Sequence, residues 1–206
     1  MSDTKENILI AALDLFAKDG YEAVSVSMIA GELGITKGAL YKHYKSKRDI
    51  FNSIVARMNT TDCERAKEYQ MPQDTMDKAQ EAYKQTSLEK IRTYSKAQFR
   101  YWTEEDFASK FRKLLTLEQY RNPEMAKLYQ QYLASGPLIY MADIFGELMG
   151  SKAEAMQTVL EFYGAFFLLL SVYDGAEDKA SITASADAYI DHFAALLCEK
   201  IKEGGK

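Results

Sequence analysis

Apolar positions recur along this chain at helical spacing. Ile8, Leu9, Ala12, Leu13, Leu15 and Phe16 follow an i, i+3/i+4, i+7 stripe, which predicts a first helix closed by Gly20. Asp3 and Glu6 are placed to cap its start. Ile29, Ala30 and Leu33 form one face of a second, short helix with Ser25 at its N-cap. Gly34 breaks that helix and Ile35 restarts the apolar pattern. Leu40 and Tyr44 carry it over a third helix, from about Thr36 to Tyr44. Ser46-Lys47-Arg48-Asp49 is a capping box that opens a fourth helix, carrying Ile50, Phe51, Ile54, Val55 and Met58 towards Tyr69 and ending before Pro72.

The same punctuation continues downstream. Thr86 with Glu89, Thr103 with Asp106 and Ser151 with Glu154 have capping-box spacing, and Asn122-Pro123-Glu124 reads as an N-cap followed by Pro at the first helical position. Gly136-Pro137, Gly150 and Gly175 read as stops. No strand or repeat signal interrupts them, so the expected fold is all-α, with about nine helices. Residues 1–50 form an expected helix-turn-helix domain and residues 51–206 a second helical domain, with no Gly/Ser linker between them. The stretch from Ala155 to Tyr173 is apolar nearly all round, which predicts burial on more than one side. Ile182, Ala186, Tyr189, Ile190, Phe193, Leu196, Leu197 and Ile201 make a stripe on the last helix. This apolar excess implies pairing with a second copy of the chain, through Phe166, Leu169, Tyr189, Phe193 and Leu197.

Charge sharpens the picture at one place. The chain has 206 residues, 47% of them hydrophobic, and a net charge of −4, enough apolar material for a core and no general affinity for polyanions. Yet between Glu32 and Asp49 there is no acid, while Lys37, Lys42, Lys45, Lys47 and Arg48 fall there with His43. Two short helices joined at a Gly, with cations clustered on the second, are the arrangement that offers a helix to the DNA major groove. The two cysteines, Cys63 and Cys198, have neither metal-site nor disulfide-framework spacing. Only two histidines occur, and the chain has no GxSxG, P-loop, HExxH or calcium-loop motif, so neither an enzyme nor a cofactor is expected. The N-terminus shows no secretory pattern, and the longest apolar stretch, Phe162 to Leu170, is half the length a bilayer needs, which leads to an expectation of a cytoplasmic, nucleoid-associated protein without a membrane partner.

Residues 5–58 resemble the N-terminal domain of TetR/AcrR-family transcriptional regulators. The resemblance rests on a first helix with Ala11-Ala12-Leu13 and Leu15-Phe16, then Ile29-Ala30, Leu33-Gly34-Ile35 and Gly38-x-Leu40-Tyr41-x-His43-Tyr44-x-x-Lys47. It implies a homodimer that binds a pseudo-palindromic double-stranded operator and is released by a small molecule. Carried over by position, Thr36 and Lys37 lie where side chains reach base edges, and Gly38 and Ala39 let the helix approach. Tyr41, His43 and Tyr44 stand at positions that in the family face the DNA backbone or pack the small domain, Lys42 is a further DNA contact, Lys47 matches the family's phosphate-binding lysine, and Ser25 and Ser27 can donate hydroxyls to phosphate. Ser27 stands where many members carry Arg. The later aromatics suit a small, largely apolar or aromatic effector, held by Tyr94, Gln98 and Trp102 on one helix and Tyr163 and Phe167 on another. The alternative is a helix-turn-helix protein controlled by a partner protein, with a solid second domain.

Overall fold

The computed structural model describes residues 4–72 and 86–204, and every described element is helical. The helices are α1 (Thr4–Asp19), α2 (Val26–Glu32), α3 (Lys37–Tyr41), α4 (Lys47–Glu68), α5 (Leu88–Glu104), α6 (Asp106–Glu118), α7 (Pro123–Leu133), α8 (Ser135–Met149), α9 (Lys152–Gly175) and α10 (Lys179–Gly204). The cap expected at Asp3 lies outside the described residues. Ser25 caps α2 by accepting from Met28 N at 3.2 Å, and Thr36 caps α3 by accepting from Ala39 N at 3.1 Å. At α4, Ser46 Oγ accepts from Asp49 N at 3.1 Å while the Asp49 carboxylate accepts from Lys45 N at 2.8 Å, so the box closes one residue earlier than the usual form.

Three expected boundaries shift. Ser87, not Thr86, caps α5, with its hydroxyl 3.3 Å from Lys90 N. Thr103 stays inside α5 and donates to Phe99 O at 2.7 Å, so it caps nothing. Gly136-Pro137 sits in the first turn of α8 rather than ending a helix, because proline is tolerated where no intrahelical N–H is needed.

The chain divides into two compact units. One comprises Met1–Asp62 with Asp106–Gln130, the other Cys63–Glu105 with Gln131–Lys206. The boundary expected at residue 50 therefore falls inside α4, and α6 with most of α7 joins the helix-turn-helix unit. In that unit α6 packs on α1. Ile8, Ala12, Leu13, Phe16, Ile29, Leu40, Ile50, Phe51 and Ile54 build its core, with Phe111, Leu114 and Leu115 from α6 also buried. Tyr21 links two of the large rings, with centroids 5.1 Å from Phe16 and 5.3 Å from Phe51.

In the second unit, Ile91, Met141, Ile144, Phe145, Ala155, Val159 and Leu197 form one core cluster. Arg92 and Lys96 on α5 pair with Asp191 on α10, and Arg100 pairs with Asp187. Helix α9 is not buried all round. Leu160, Leu168 and Val172 are exposed along one face, as is Leu196 on α10, with Leu168 at 64% exposure.

Two glycines carry the turns around α2. Gly34 has φ +64° and Gly20 has φ +86°, both in the region that strains an L side chain. They differ in surroundings. A Cβ on Gly34 meets nothing within 4 Å, whereas one on Gly20 lies 2.7 Å from Glu118 Oε1. Gly34→Ala is expected to cost about 1–2 kcal/mol, the left-handed strain alone. Gly20→Ala is expected to cost more, because the carboxylate must also move; urea unfolding of the two variants side by side measures the difference.

Candidate nucleic-acid interface

The surface of α2 and α3 is built from a few fixed points. Leu40 is fully buried, and Tyr44 is buried with its hydroxyl donating to Lys5 O at 3.2 Å. These two residues fasten the short α3 to the core and leave its other face outward. The turn before it closes through Gly34 N on Gly31 O at 3.1 Å and Ile35 N on Ala30 O at 3.0 Å. Ser25, Ser27, Thr36, Lys37, Gly38, Tyr41, Lys42 and His43 are all exposed, and Ala39 is half-buried. Nine of the ten residues expected to meet DNA are thus exposed or half-buried on α2, α3 and the residues flanking them. The Lys37 ammonium lies 5.7 Å from the Tyr41 ring centroid, which pre-orients both side chains on the outer face of α3.

Lys47, the tenth, is placed differently. Its Nζ donates to Tyr21 O at 2.8 Å and to Glu22 O at 3.4 Å, lies 4.3 Å from the Tyr21 ring centroid, and is 3.9 Å from the Glu22 carboxylate. Only 22% of the side chain is exposed. In the free chain this ammonium is engaged by acceptors of the unit itself. Arg48, exposed, is paired with Glu124 of α7. Burial raises the Tyr21 phenol above its ordinary value, so it remains a neutral ring beneath Lys47.

Sequence reasoning missed Glu118. It is buried, and its carboxylate accepts from Tyr21 N at 2.9 Å. A signal was present: Phe111, Leu114, Leu115 and Glu118 fall on one helical stripe, so a carboxylate stands where an apolar residue is expected.

The residues expected to hold an effector are partly gathered within the second unit. Gln98 Nε2 donates to Tyr94 OH at 2.9 Å, and Arg65 holds Gln98 Oε1 at 3.0 Å. Phe167 stacks on Tyr163 at 5.3 Å, and burial together with the nearby Tyr94 pushes the Tyr163 phenol well above its ordinary value. Trp102 is buried with its ring 5.1 Å from that of Tyr101. An open groove of about 350 Å³ runs beside Arg65, Tyr69, Lys96, Arg100 and Tyr101, and none of the five expected effector residues lines it.

The residues expected at a dimer interface face inward in part. Phe166 and Leu197 are buried within the unit. The Tyr189 hydroxyl donates to Phe162 O at 3.0 Å, and the Phe193 ring lies 5.0 Å from that of Phe162. Ala186, Ile190 and Leu197 of the α10 stripe are buried within the unit, while Leu196 of the same stripe and Met156, Leu160, Leu168 and Val172 of α9 are exposed. Periodicity alone does not tell the inner apolar face of α9 from its outer one, because both are apolar.

Residues 8–54 match the family described as bacterial regulatory proteins, tetR family. Over 53 residues, 26% of this chain and 18% of the relative, the sequence is 45% identical to an uncharacterized HTH-type transcriptional regulator, YerO, of Bacillus subtilis. Over 56 residues, 27% of each chain, it is 41% identical to the HTH-type transcriptional repressor BepR of Brucella suis. These matches span about a quarter or less of the relatives' length. The fold as a whole is similar to that of SmeT of Stenotrophomonas maltophilia in complex with triclosan, with a TM-score of 0.63 and 19% identity over 94% of this chain and 90% of that one. The likeness in sequence to tetR-family regulatory proteins thus lies in the N-terminal quarter of the chain, and the likeness in fold extends over nearly all of it.

The caps make a first test. Thr36→Val removes the acceptor for Ala39 N and is expected to lower stability by about 1 kcal/mol, while Thr36→Ser retains it and costs a few tenths. Urea unfolding of both variants measures this.

Proposed function

We propose that the protein is a DNA-binding transcriptional regulator, a homodimeric repressor that sets one α3 in each of two major grooves of a pseudo-palindromic operator. The observation that carries this reading is the outward face of α3 and its cap, where Thr36, Lys37, Gly38, Tyr41, Lys42 and His43 lie together without a carboxylate among them. The tetR-family match over residues 8–54 supports it. In this reading Thr36, Lys37 and Ala39 meet base edges, and Gly38 permits the close approach. Tyr41, Lys42, His43, Ser25 and Ser27 hold phosphates and set the register. The protein acts on the nucleoid in the cytoplasm.

The second chain docks on the exposed apolar face of α9 and α10. Leu160, Leu168 and Leu196 are 49%, 64% and 50% exposed, which is a large apolar surface to leave in water. Helix α9 is also long and apolar enough to cross a bilayer, and dimer formation in aqueous buffer separates the two uses of that face. The effector is a small, largely apolar or aromatic molecule held in the second unit near Tyr94, Gln98, Tyr163 and Phe167. SmeT, of similar fold, is known in complex with triclosan. Ligand and operator then oppose each other by linkage, each weakening the other by the same factor.

Two measurements test this reading. Lys42→Ala is expected to weaken binding to all duplexes alike and to flatten the salt dependence by about one unit. Lys37→Ala is expected to relax preference at one base pair by about 1–3 kcal/mol. Binding titrations against matched and mismatched duplexes at several salt concentrations separate the two, and a flat response from both variants contradicts the reading. For the dimer, Leu168→Lys is expected to give monomers by sedimentation and to remove the concentration dependence of the unfolding temperature that association confers, while the single chain, in which this side chain is exposed, still folds. A wild-type chain that sediments as a monomer removes the dimer from the account.

A further inference from the structure

Both backbone groups of Tyr21 are held by charged side chains. Glu118, only 2% exposed, accepts from its N–H at 2.9 Å across 97 positions of sequence. Lys47 donates to its carbonyl at 2.8 Å. The N–H belongs to the Gly20–Tyr21 peptide and the carbonyl to the Tyr21–Glu22 peptide, so two successive amides of the turn are each held by a charged side chain. Glu118 and Lys47 thus fix one residue, Tyr21, from both of its backbone groups. The turn is shaped to admit this, since any Cβ at Gly20 would stand 2.7 Å from the Glu118 oxygen.

Tyr21 lies in the turn between α1 and α2. From it the chain runs four residues to Ser25, the cap of α2, and α2 leads through Gly34 into α3. Helices of seven and five residues do not fix their own placement, so the turn that delivers them sets where the α2 cap and the outer face of α3 stand. Helix α6 is fastened to α1 again by the Lys110–Asp14 ion pair, and Arg48 at the start of α4 is paired with Glu124 of α7. The two helices drawn from mid-chain are thus tied to the first and fourth helices at several points, and Glu118 is the tie that reaches the turn itself.

We propose that Glu118 is a positioning residue for DNA binding, and that Lys47 acts with it by holding the other backbone group of Tyr21 rather than as a phosphate ligand. The proposal rests on the DNA-binding reading above. The ammonium of Lys47 has the carbonyls of Tyr21 and Glu22 as acceptors and the Glu22 carboxylate nearby, so its charge is committed within the unit. Its expected contribution to DNA affinity is geometric, not Coulombic.

The test compares wild type, Glu118→Gln, Lys47→Met and the double variant on a duplex enriched from a randomised pool by the wild-type protein. Binding is titrated across salt concentrations, with thermal unfolding and hydrogen exchange at the Tyr21 amide followed in parallel. Each single variant is expected to weaken binding about tenfold with an unchanged salt slope. The double variant is expected to bind no worse than the weaker single, and Tyr21 exchange to quicken in both singles, including the one that leaves Glu118 in place. Glu118→Asp, one methylene short, replaces Glu118→Gln if the amide does not fold, and the same pattern is expected of it. A salt slope reduced by about one unit in Lys47→Met overturns the proposal and returns Lys47 to the phosphates. Losses that multiply in the double variant overturn the coupling. A Glu118 variant that lowers only the unfolding temperature and binds the duplex as wild type does makes Glu118 structural alone. A wild-type protein that enriches no duplex overturns the DNA-binding reading, and the proposal with it.

Discussion

The burial of Leu40 is the constraint on which the interface depends. Helix α3 has five residues, and a helix that short does not persist in water on its own hydrogen bonds. It exists because Leu40 is sealed in the core, Thr36 supplies the cap and Tyr44 returns a hydrogen bond to α1. With shape assigned to those three side chains, Lys37, Tyr41, Lys42 and His43 are exposed and contribute little to folding. Their identities are free to answer to a ligand outside the protein, which is the condition a recognition helix needs.

The second constraint comes from the middle of the chain. Buried Phe111, Leu114 and Leu115 of α6 complete the core of the first unit, so the helix-turn-helix is not self-sufficient. Full burial of a side chain of this kind is worth about 1.5–3 kcal/mol, whereas exposed ion pairs such as Arg48–Glu124 contribute about 0–1 kcal/mol. Packing holds α6 in place and the polar ties set its register. Glu118 stands apart from both, because a buried carboxylate is stable only with a partner, and the partner it has is the backbone of the α1–α2 turn.

Much of the first unit was legible in the sequence because its signals are local. Ser25, Thr36 and Ser46 announce caps within three residues of the groups they satisfy, and Gly34 marks a turn that requires φ above zero. What escaped is non-local. Nothing near Glu118 says that its acceptor site is filled by Tyr21, and nothing near Lys47 distinguishes a phosphate from a backbone carbonyl. On α9 the hydrophobic signal is too strong to be informative, since Phe162 and Phe166 face the core while Leu160 and Leu168 face solvent with the same polarity. Gly136-Pro137 misled for a related reason: the same dipeptide ends one helix or begins another, and the neighbouring Leu133–Ser135 turn decides which.

The central claim is that α3 reads DNA, and selection of bound duplexes from a randomised pool by the unmodified protein tests it most directly. The account predicts a pseudo-palindromic sequence whose half-sites are separated by about one helical turn, 34–36 Å centre to centre, or a multiple of it. Recovery of an unenriched pool, or of a lone half-site without symmetry, contradicts the first or the second part of the claim.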